Sequence, residues 1–128
     1  MKSITTYITE KMVYTKSNAF KYNYFPKTKV ELYNIIYKLL EERGNDGDFN
    51  DIDVSKITDM SELFEGMQDF NGDISEWDVS NVKYMQSMFR GCRSFNQDIS
   101  NWLLNHDTFT KQMFENCPIE EKYKPKFK

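Results

Sequence analysis

The sequence predicts an α/β solenoid, a short stack of repeats with one end closed by a helix. The main observation is a set of matching residues at an offset of 25, between residues 52–70 and residues 77–95. A helix-spaced apolar pattern precedes these repeats at residues 28–43. Aromatic residues make up 16% of the 128 residues, and they can close a small core because each buries a large area.

Residues 1–49 are predicted to form an N-terminal segment whose main element is a helix at residues 28–43. Thr28 and Glu31 fit a capping box, and Gly44 fits the position that ends a helix. The apolar residues of this helix share one face: Leu32, Ile35, Ile36, Leu39 and Leu40. Because that face must be buried, we predict that the helix caps the open end of the first repeat.

Residues 4–27 combine aromatic residues with lysines. A shorter helix is predicted at residues 4–12, and the alternation of Phe20, Tyr22 and Tyr24 fits a strand. We interpret these aromatic residues as packing on the capping helix. The alternative is that they stack on the bases of a single-stranded nucleic acid, with the lysines contacting its phosphates.

Residues 50–117 are the predicted solenoid, with two clear 25-residue repeats and a degenerate third. Matching positions carry the same or similar residues: Met60 and Met85; Phe64, Phe89 and Phe114; Phe70 and Phe95; Trp77 and Trp102. A degenerate last repeat is expected where one face has no neighbour. A single repeat cannot bury its own apolar face, so we predict that equal positions stack, Phe on Phe and Trp on Trp.

Within each repeat we predict a short helix, a turn and an extended segment. Met60, Leu63, Phe64 and Met67 have helical spacing. Cys92 and Cys117 occupy one repeat position, and we interpret both as small buried apolar residues.

Residues 118–128 are predicted to be a basic, flexible tail. Its lysines are Lys122, Lys124, Lys126 and Lys128, and Pro118 and Pro125 disfavour a regular element.

The strings at residues 70–89 and 95–102 resemble a known repeat family, the BspA-like, mycoplasma-lipoprotein-type family with 25-residue repeats. Its repeat reads Met-x-x-Met-Phe, then Phe-Asn-x-Asp-Ile-x-x-Trp-Asp-x-Ser-x-Val, and the match covers about residues 50–117. The resemblance implies a right-handed, leucine-rich-repeat-like solenoid with an interaction role and no shared catalytic centre. The start of the chain, at residues 7–14, is also similar to leaders of small phage and mobile-element proteins.

No residue pattern in the sequence points to catalysis or to a bound cofactor. One histidine, His106, and two cysteines do not provide the four ligands of a zinc site. An EF-hand beginning at Asp46 would need Gly and Glu where Asp51 and Ile57 stand. The five glycines are scattered singly and form no phosphate-binding loop. We therefore predict a protein that is not an enzyme, with no cofactor and no metal site.

The charge of the chain is concentrated in its middle. Residues 31–80 carry fourteen acidic and three basic residues, although the net charge of the chain is only -3. Solvated turns explain most charge runs, but an acidic surface also attracts basic partners. The candidate partner-binding residues are therefore acidic: Asp51, Asp53, Asp59, Glu62, Asp73, Glu76 and Asp78.

Two functions follow from these observations. The first is a non-enzymatic protein-binding module that acts through the repeats. The second is a phage or mobile-element inhibitor of a host defence nucleoprotein, of the anti-CRISPR kind, which uses the acidic middle or the basic ends. The expected partner is a protein or nucleoprotein. Direct contact of the Lys-rich ends with nucleic acid and dimerisation through the open end are further alternatives.

The expected location is the cytoplasm, which would be the host cytoplasm for a phage protein. The first residues, 1–8, show no apolar stretch of the kind found in signal peptides. No apolar run approaches the length that crosses a bilayer, so no membrane role is expected.

Overall fold

The structure is a computed structural model that describes residues 21–128. Its elements are helix α1 (Lys29–Arg43), strand β1 (Leu103–Leu104), a 3-10 helix (Glu121–Tyr123) and strand β2 (Lys126–Phe127). β1 and β2 form a two-stranded parallel sheet.

Part of the N-terminal prediction lies outside the described residues. The helix predicted at residues 4–12 and Phe20 of the predicted strand belong to that part. Of the strand, Tyr24 forms a single parallel bridge with Ile52. The rings of Tyr22 and Phe25 meet edge to face with centroids 6.4 Å apart.

Helix α1 confirms the helix predicted from the sequence. Its first turn is capped because Thr28 Oγ1 accepts a hydrogen bond from the Glu31 N–H at 3.2 Å. The Glu31 carboxylate accepts the N–H of Lys27 at 2.7 Å, one residue earlier than a capping box predicts. Gly44 ends the helix with a φ of 79°, a conformation that favours glycine.

The apolar face of α1 lies in the core. Leu32, Ile36 and Leu39 are fully buried, and Ile35 and Leu40 pack against the same core. At the start of the helix, Lys29 Nζ donates to the carbonyl and hydroxyl oxygens of Ser61, at 3.1 and 3.0 Å. The helix therefore lies beside the part of the chain that contains Ser61.

Three stretches of the chain repeat one backbone conformation: residues 58–67, 83–92 and 108–117. Each has two residues with positive φ, four positions apart: Glu62 and Gly66, Ser87 and Gly91, Gln112 and Asn116. An α-helix of L-residues does not admit such residues in its interior. The short helix predicted at Met60–Met67 is therefore wrong, and turns take its place.

Backbone hydrogen bonds in these stretches alternate between two kinds of partner. Every second N–H of the first stretch, from Met60 to Gly66, donates to a carbonyl 24 residues later at 2.8–3.0 Å. The N–H groups between them, from Leu63 to Met67, donate to the carbonyl three residues earlier. The second stretch bonds to the third in the same way. Equivalent positions of the three stretches are thus joined in register.

Aromatic rings stack at the same offset inside the core. The ring centroids of Phe64, Phe89 and Phe114 are 5.4 and 5.5 Å apart. Those of Phe70 and Phe95 are 5.8 Å apart, and those of Trp77 and Trp102 are 6.3 Å apart. The Nε1–H of Trp102 donates to the Ile74 carbonyl at 3.1 Å, so its polar atom is satisfied although the residue is buried. The predicted Phe-on-Phe and Trp-on-Trp contacts are present.

The C-terminal residues contain regular elements, contrary to the predicted tail. The 3-10 helix and β2 lie within residues 118–128, and both prolines fall outside these elements. Ile99 N–H donates to the Tyr123 carbonyl at 3.0 Å, and Lys128 N–H donates to the Leu104 carbonyl at 2.8 Å. These residues therefore pair with residues 99–104. The leucine-rich-repeat-like solenoid and the boundaries at residues 49 and 117 stay predictions.

Both cysteines are free thiols. Cys92 is buried, and its Sγ–H donates to the Phe64 carbonyl at 3.0 Å. Burial raises the pKa of the Cys92 thiol to about 12 and also raises the pKa of Cys117. The interpretation as a buried apolar residue is confirmed for Cys92, whereas Cys117 is only half-buried.

Candidate protein-binding surface

Most of the predicted acidic site residues stabilise turns. In each case an aspartate Oδ1 accepts the N–H of the serine two residues later, which is an Asx turn. The distances are 2.8 Å at Asp59 and 3.0–3.1 Å at Asp53, Asp73 and Asp78. Asp98, outside the predicted set, does the same at 3.0 Å. The repeated Asp-x-Ser pattern therefore has a structural reason that is independent of any partner.

Three of these turn aspartates, Asp59, Asp73 and Asp98, have lowered pKa values. Burial opposes ionisation of Asp59 and Asp73, but hydrogen bonds from Ser61 and Ser75 outweigh it and lower both pKa values. The hydroxyl and N–H of Ser100 lower the pKa of Asp98. The native turns thus favour the charged form of these three carboxylates.

Asp51 and Glu76 lie at a cleft of about 550 Å³ and pair with cations there. The Arg43 guanidinium donates to both oxygens of Asp51, at 2.7 and 2.9 Å. This bidentate hydrogen bonding lowers the pKa of Asp51, and Asn23 adds a further donor at 2.8 Å. Lys21 Nζ lies 3.3 Å from the Glu76 carboxylate. Both acids are therefore partly neutralised within the described chain.

The remaining acidic prediction, Glu62, is exposed and occupies a positive-φ turn position. It lies in the first stretch with Asp59, whose Oδ2 is 3.6 Å from Lys29 Nζ. Glu62 and Asp59 are thus placed beside helix α1, whereas Asp51 and Glu76 line the cleft near Arg43.

Acid is expected to destabilise the fold through Asp51, Asp59, Asp73 and Asp98. Their pKa values are lower in the folded chain, so their contribution is fully present above the unfolded value of about 3.9 and is lost as pH falls through the folded values. The Tm should therefore stay level near neutral pH and fall below about pH 4. Asp73→Asn keeps an acceptor oxygen for the turn and should flatten this fall. A Tm that does not change between pH 6 and pH 3 would contradict the assignment.

A pair of exposed aromatic residues marks the surface that the sequence reasoning missed. Tyr84 and Phe109 stack with ring centroids 5.6 Å apart and an interplanar angle of 4°. Their exposed fractions are nevertheless 41% and 60%. Parallel bridges join Asp59 to Tyr84 and Tyr84 to Phe109. We call Asp59, Tyr84 and Phe109 the exposed column.

Helix α1 carries a second exposed apolar group next to this column. Val30, Tyr33 and Tyr37 are 67%, 38% and 52% exposed, and the two tyrosine rings meet at 5.0 Å. A mostly apolar cleft of about 330 Å³ lies between Val30 and Tyr33 on one side and residues 61–63 on the other. Lys29, which contacts both Asp59 and Ser61, connects the helix to the exposed column.

A signal for the exposed column was present in the sequence. Tyr84 precedes the buried Met85, so in extended backbone its side chain points to the opposite side. Phe109 stands 25 residues later at the matching position. Aromatic residues at two matching outward positions predict an exposed aromatic pair.

Residues 21–128 contain neither a grouped set of metal ligands nor a membrane-spanning helix. Within residues 21–128, no three His, Cys, Asp or Glu side chains are grouped as a metal site would need. No helix in that range has the length and apolar character needed to cross a bilayer. His106 is exposed.

The chain matches a known protein family. Residues 31–123, well over half of the sequence, match the family described as "Mycoplasma protein of unknown function, DUF285". The chain belongs to this family. The match to DUF285 confirms the mycoplasma-type resemblance seen in the sequence, and it covers most of α1, the three stretches and the exposed column. No curated protein and no solved structure matches the chain.

Proposed function

We propose that this DUF285 member is a non-enzymatic protein-binding module, built as a short leucine-rich-repeat-like solenoid. Its binding surface is formed by the exposed column and the exposed face of α1. The observation that supports this proposal is the Tyr84–Phe109 stack, two aligned rings that remain 41% and 60% exposed.

Exposed aromatic rings of this kind are typical of protein interfaces. Tyr, Trp and Phe are enriched at the centres of interfaces, where they bury a large area with few rotatable bonds. Stacking holds the two rings parallel, so little side-chain freedom remains to be lost on binding. Val30, Tyr33 and Tyr37 extend the apolar surface, and Lys29, Asp59 and Glu62 give it a charged margin.

The alternative function, inhibition of a host defence nucleoprotein through acidic residues, makes a different prediction about contacts. Asp53, Asp59, Asp73 and Asp78 accept turn hydrogen bonds, so reversing their charge would damage the fold as well as any interface. Glu76 makes no such side-chain bond within residues 21–128, and its carboxylate pairs only with Lys21 in that range. Glu76→Lys is therefore the cleaner test of the acidic surface.

Loss of the exposed rings is expected to abolish partner capture. The tagged chain is incubated with lysate, washed at low and high salt, and the retained proteins are identified by mass spectrometry. Tyr84→Ala with Phe109→Ala should weaken retention about 100-fold, since each interface aromatic contributes roughly 1–2 kcal/mol or more. Retention by the unaltered chain should persist at high salt, because apolar contacts are not screened.

The matched control in this experiment is Glu76→Lys, which should leave retention unchanged. A partner that leaves at high salt, is lost with Glu76→Lys and is kept by the double variant would overturn the proposal. That result would favour the nucleoprotein inhibitor.

A further inference from the structure

From the third residue of each stretch onward, the backbone hydrogen bonds that join the stretches run in one direction. At the start of the stretches the direction is reversed: Lys83 and Tyr84 donate to the Thr58 carbonyl, and Phe109 donates to the Lys83 carbonyl, at 2.7–3.3 Å. N–H groups of the first stretch donate to carbonyls of the second, and those of Met85, Ser87, Phe89 and Gly91 donate to carbonyls of the third at 2.8–2.9 Å. The N–H groups that alternate with these donors, such as those of Leu63 and Met88, donate to the carbonyl three residues earlier in the same stretch. The third stretch must therefore present N–H donors on its outer edge.

Four N–H groups form this donor edge: Thr110, Gln112, Phe114 and Asn116. The third stretch keeps the same turn bonds, for example Met113 N–H to the Thr110 carbonyl at 3.0 Å. Gln112 and Asn116 also keep the positive φ of their counterparts, 57° each. Yet no backbone carbonyl of residues 21–128 accepts a bond from any of the four donors. The pairing of the C-terminal residues reaches only residues 96–104.

The opposite end of the three stretches differs, because it presents carbonyls and lies next to α1. Lys29 Nζ donates to the Ser61 carbonyl there, at 3.1 Å. Because α1 already occupies that carbonyl, a second copy of the chain added head to tail would have to displace α1. Two copies joined through their donor edges would place N–H groups against N–H groups. Neither arrangement satisfies the donors, so the partner must bring its own acceptors.

An apolar cleft of about 400 Å³ adjoins the donor edge. Met113 and Phe114 lie on one side of it, and Leu104, Pro125 and Phe127 on the other. Lys124 also lines the cleft, with its Nζ 5.4 Å from the centroid of the Phe114 ring. Phe114 stacks on Phe89, and Phe127 is 50% exposed. Phe109, at the start of the same stretch, is 60% exposed and stacks on Tyr84 only. A segment bound along the edge would thus meet the Phe109 ring and, five residues later, the cleft beside Phe114 and Phe127.

The charges around the edge are predominantly basic once internal pairs are removed. Glu115 pairs with Arg90 at 3.2 Å, and Glu121 pairs with Lys124 at 2.6 Å. Lys111 and Lys126 are exposed and form no ion pair within residues 21–128. Aligned N–H groups add a positive potential of their own. The edge therefore favours an acidic partner.

We propose that the donor edge binds an acidic peptide of another protein, in the turn conformation of residues 84–90, with aromatic residues at positions i and i+5. The peptide lies parallel to residues 110–116 and offers carbonyls at alternate positions, which is the β-augmentation mode. Its first aromatic residue stacks on Phe109, and its second enters the cleft beside Phe114 and Phe127. Residues 84–90 already make this arrangement with the first stretch, through the carbonyls of Tyr84, Gln86, Met88 and Arg90. The inference rests on the proposed protein-binding function and adds a ligand for the end of the three stretches opposite α1, where Phe109 is the shared residue.

Amide hydrogen exchange measured by NMR tests this inference. The probe is a capped peptide with the sequence of residues 83–91, altered by Lys83→Glu and Arg90→Glu to make it acidic. The full 128-residue chain should show fast exchange at the four edge amides without peptide. With saturating peptide, their exchange should slow at least 10-fold. Met85, Ser87, Phe89 and Gly91 are internal controls and should be slow throughout, because their bonds are already made.

A second peptide, with Tyr84→Ser and Phe89→Ser added, should leave the four amides unchanged. In the chain, Phe109→Ala should weaken binding of the first peptide about 10-fold. The inference is overturned if the first peptide fails to slow the edge amides, or if they exchange slowly without it. If that happens while lysate capture still depends on Tyr84 and Phe109, the edge inference fails and the proposed function stands. If capture is also independent of these rings, both fail.

Discussion

Phe89→Ala is expected to lower the free energy of unfolding by about 3–5 kcal/mol. Phe89 is fully buried, and its ring meets those of Phe64, Phe95 and Phe114 at 4.4–5.5 Å. Truncation removes the middle ring of the core and leaves a cavity between the first and third stretches. Since these stretches are joined through the second, surrounding side chains cannot collapse into the space without breaking backbone hydrogen bonds.

Chemical denaturation followed by circular dichroism measures this loss, and Phe109→Ala is the matched control. Phe109 also stacks on a neighbouring ring, but it is 60% exposed, so its truncation should cost only about 1 kcal/mol. Equal losses at the two positions would show that the ring stack from Phe64 to Phe114 is not the core of the fold.

Ile36→Ala is expected to lower the free energy of unfolding by about 2–5 kcal/mol. Ile36 is fully buried at the centre of the α1 face that packs into the common core. Alanine has the better helix propensity, so any loss reports packing rather than helix formation. The variant should still unfold in one cooperative transition, at lower stability, because α1 and the three stretches share that core.

The control for Ile36→Ala is Val30→Ala on the exposed side of the same helix. Val30 is 67% exposed, and its replacement should change stability by less than about 0.5 kcal/mol. If Ile36→Ala caused α1 to unfold in a separate early transition, the helix would not share one cooperative core with the three stretches.

Helix α1 was predictable because local signals set both of its ends. The Thr28 hydroxyl and Gly44 act within one turn of the helix, so their effect does not depend on distant residues. The ring stacks were predictable for a different reason. An offset of 25 that places Phe under Phe and Trp under Trp carries long-range information in the sequence itself.

The prediction of a helix at Met60–Met67 was wrong because the apolar spacing of these residues fits both a helix and the observed turns. Turns with left-handed residues at Glu62 and Gly66 also bring Met60, Leu63 and Phe64 to one side. Gly66 and Gly91 are residues that indicate positive φ. Glu62, Ser87 and Gln112 do not indicate it, because such residues seldom adopt positive φ. At Glu62 and Ser87 the N–H donates to the next stretch in that conformation, and Gln112 keeps the same positive φ without such a bond.

The acidic site residues were selected by charge, and charge did not reveal their surroundings. The Ser residues of Asp-x-Ser were visible in the sequence, and an Asx turn was the appropriate reading of that spacing. By contrast, the pairing of Asp51 with Arg43 depends on how α1 packs and could not be read from the chain. The elements within residues 118–128 were missed because their partners, residues 99–104, are distant in sequence.

Photo-crosslinking from position 109 tests the proposed binding surface most directly. p-Benzoylphenylalanine, an aromatic residue close in shape to phenylalanine, replaces Phe109 in one sample and Glu76 in another, and both are irradiated in lysate. We expect a discrete crosslinked protein from position 109, retained at high salt, and none from position 76. Crosslinks from position 76 alone, or from neither position, would contradict a binding surface built on the exposed column.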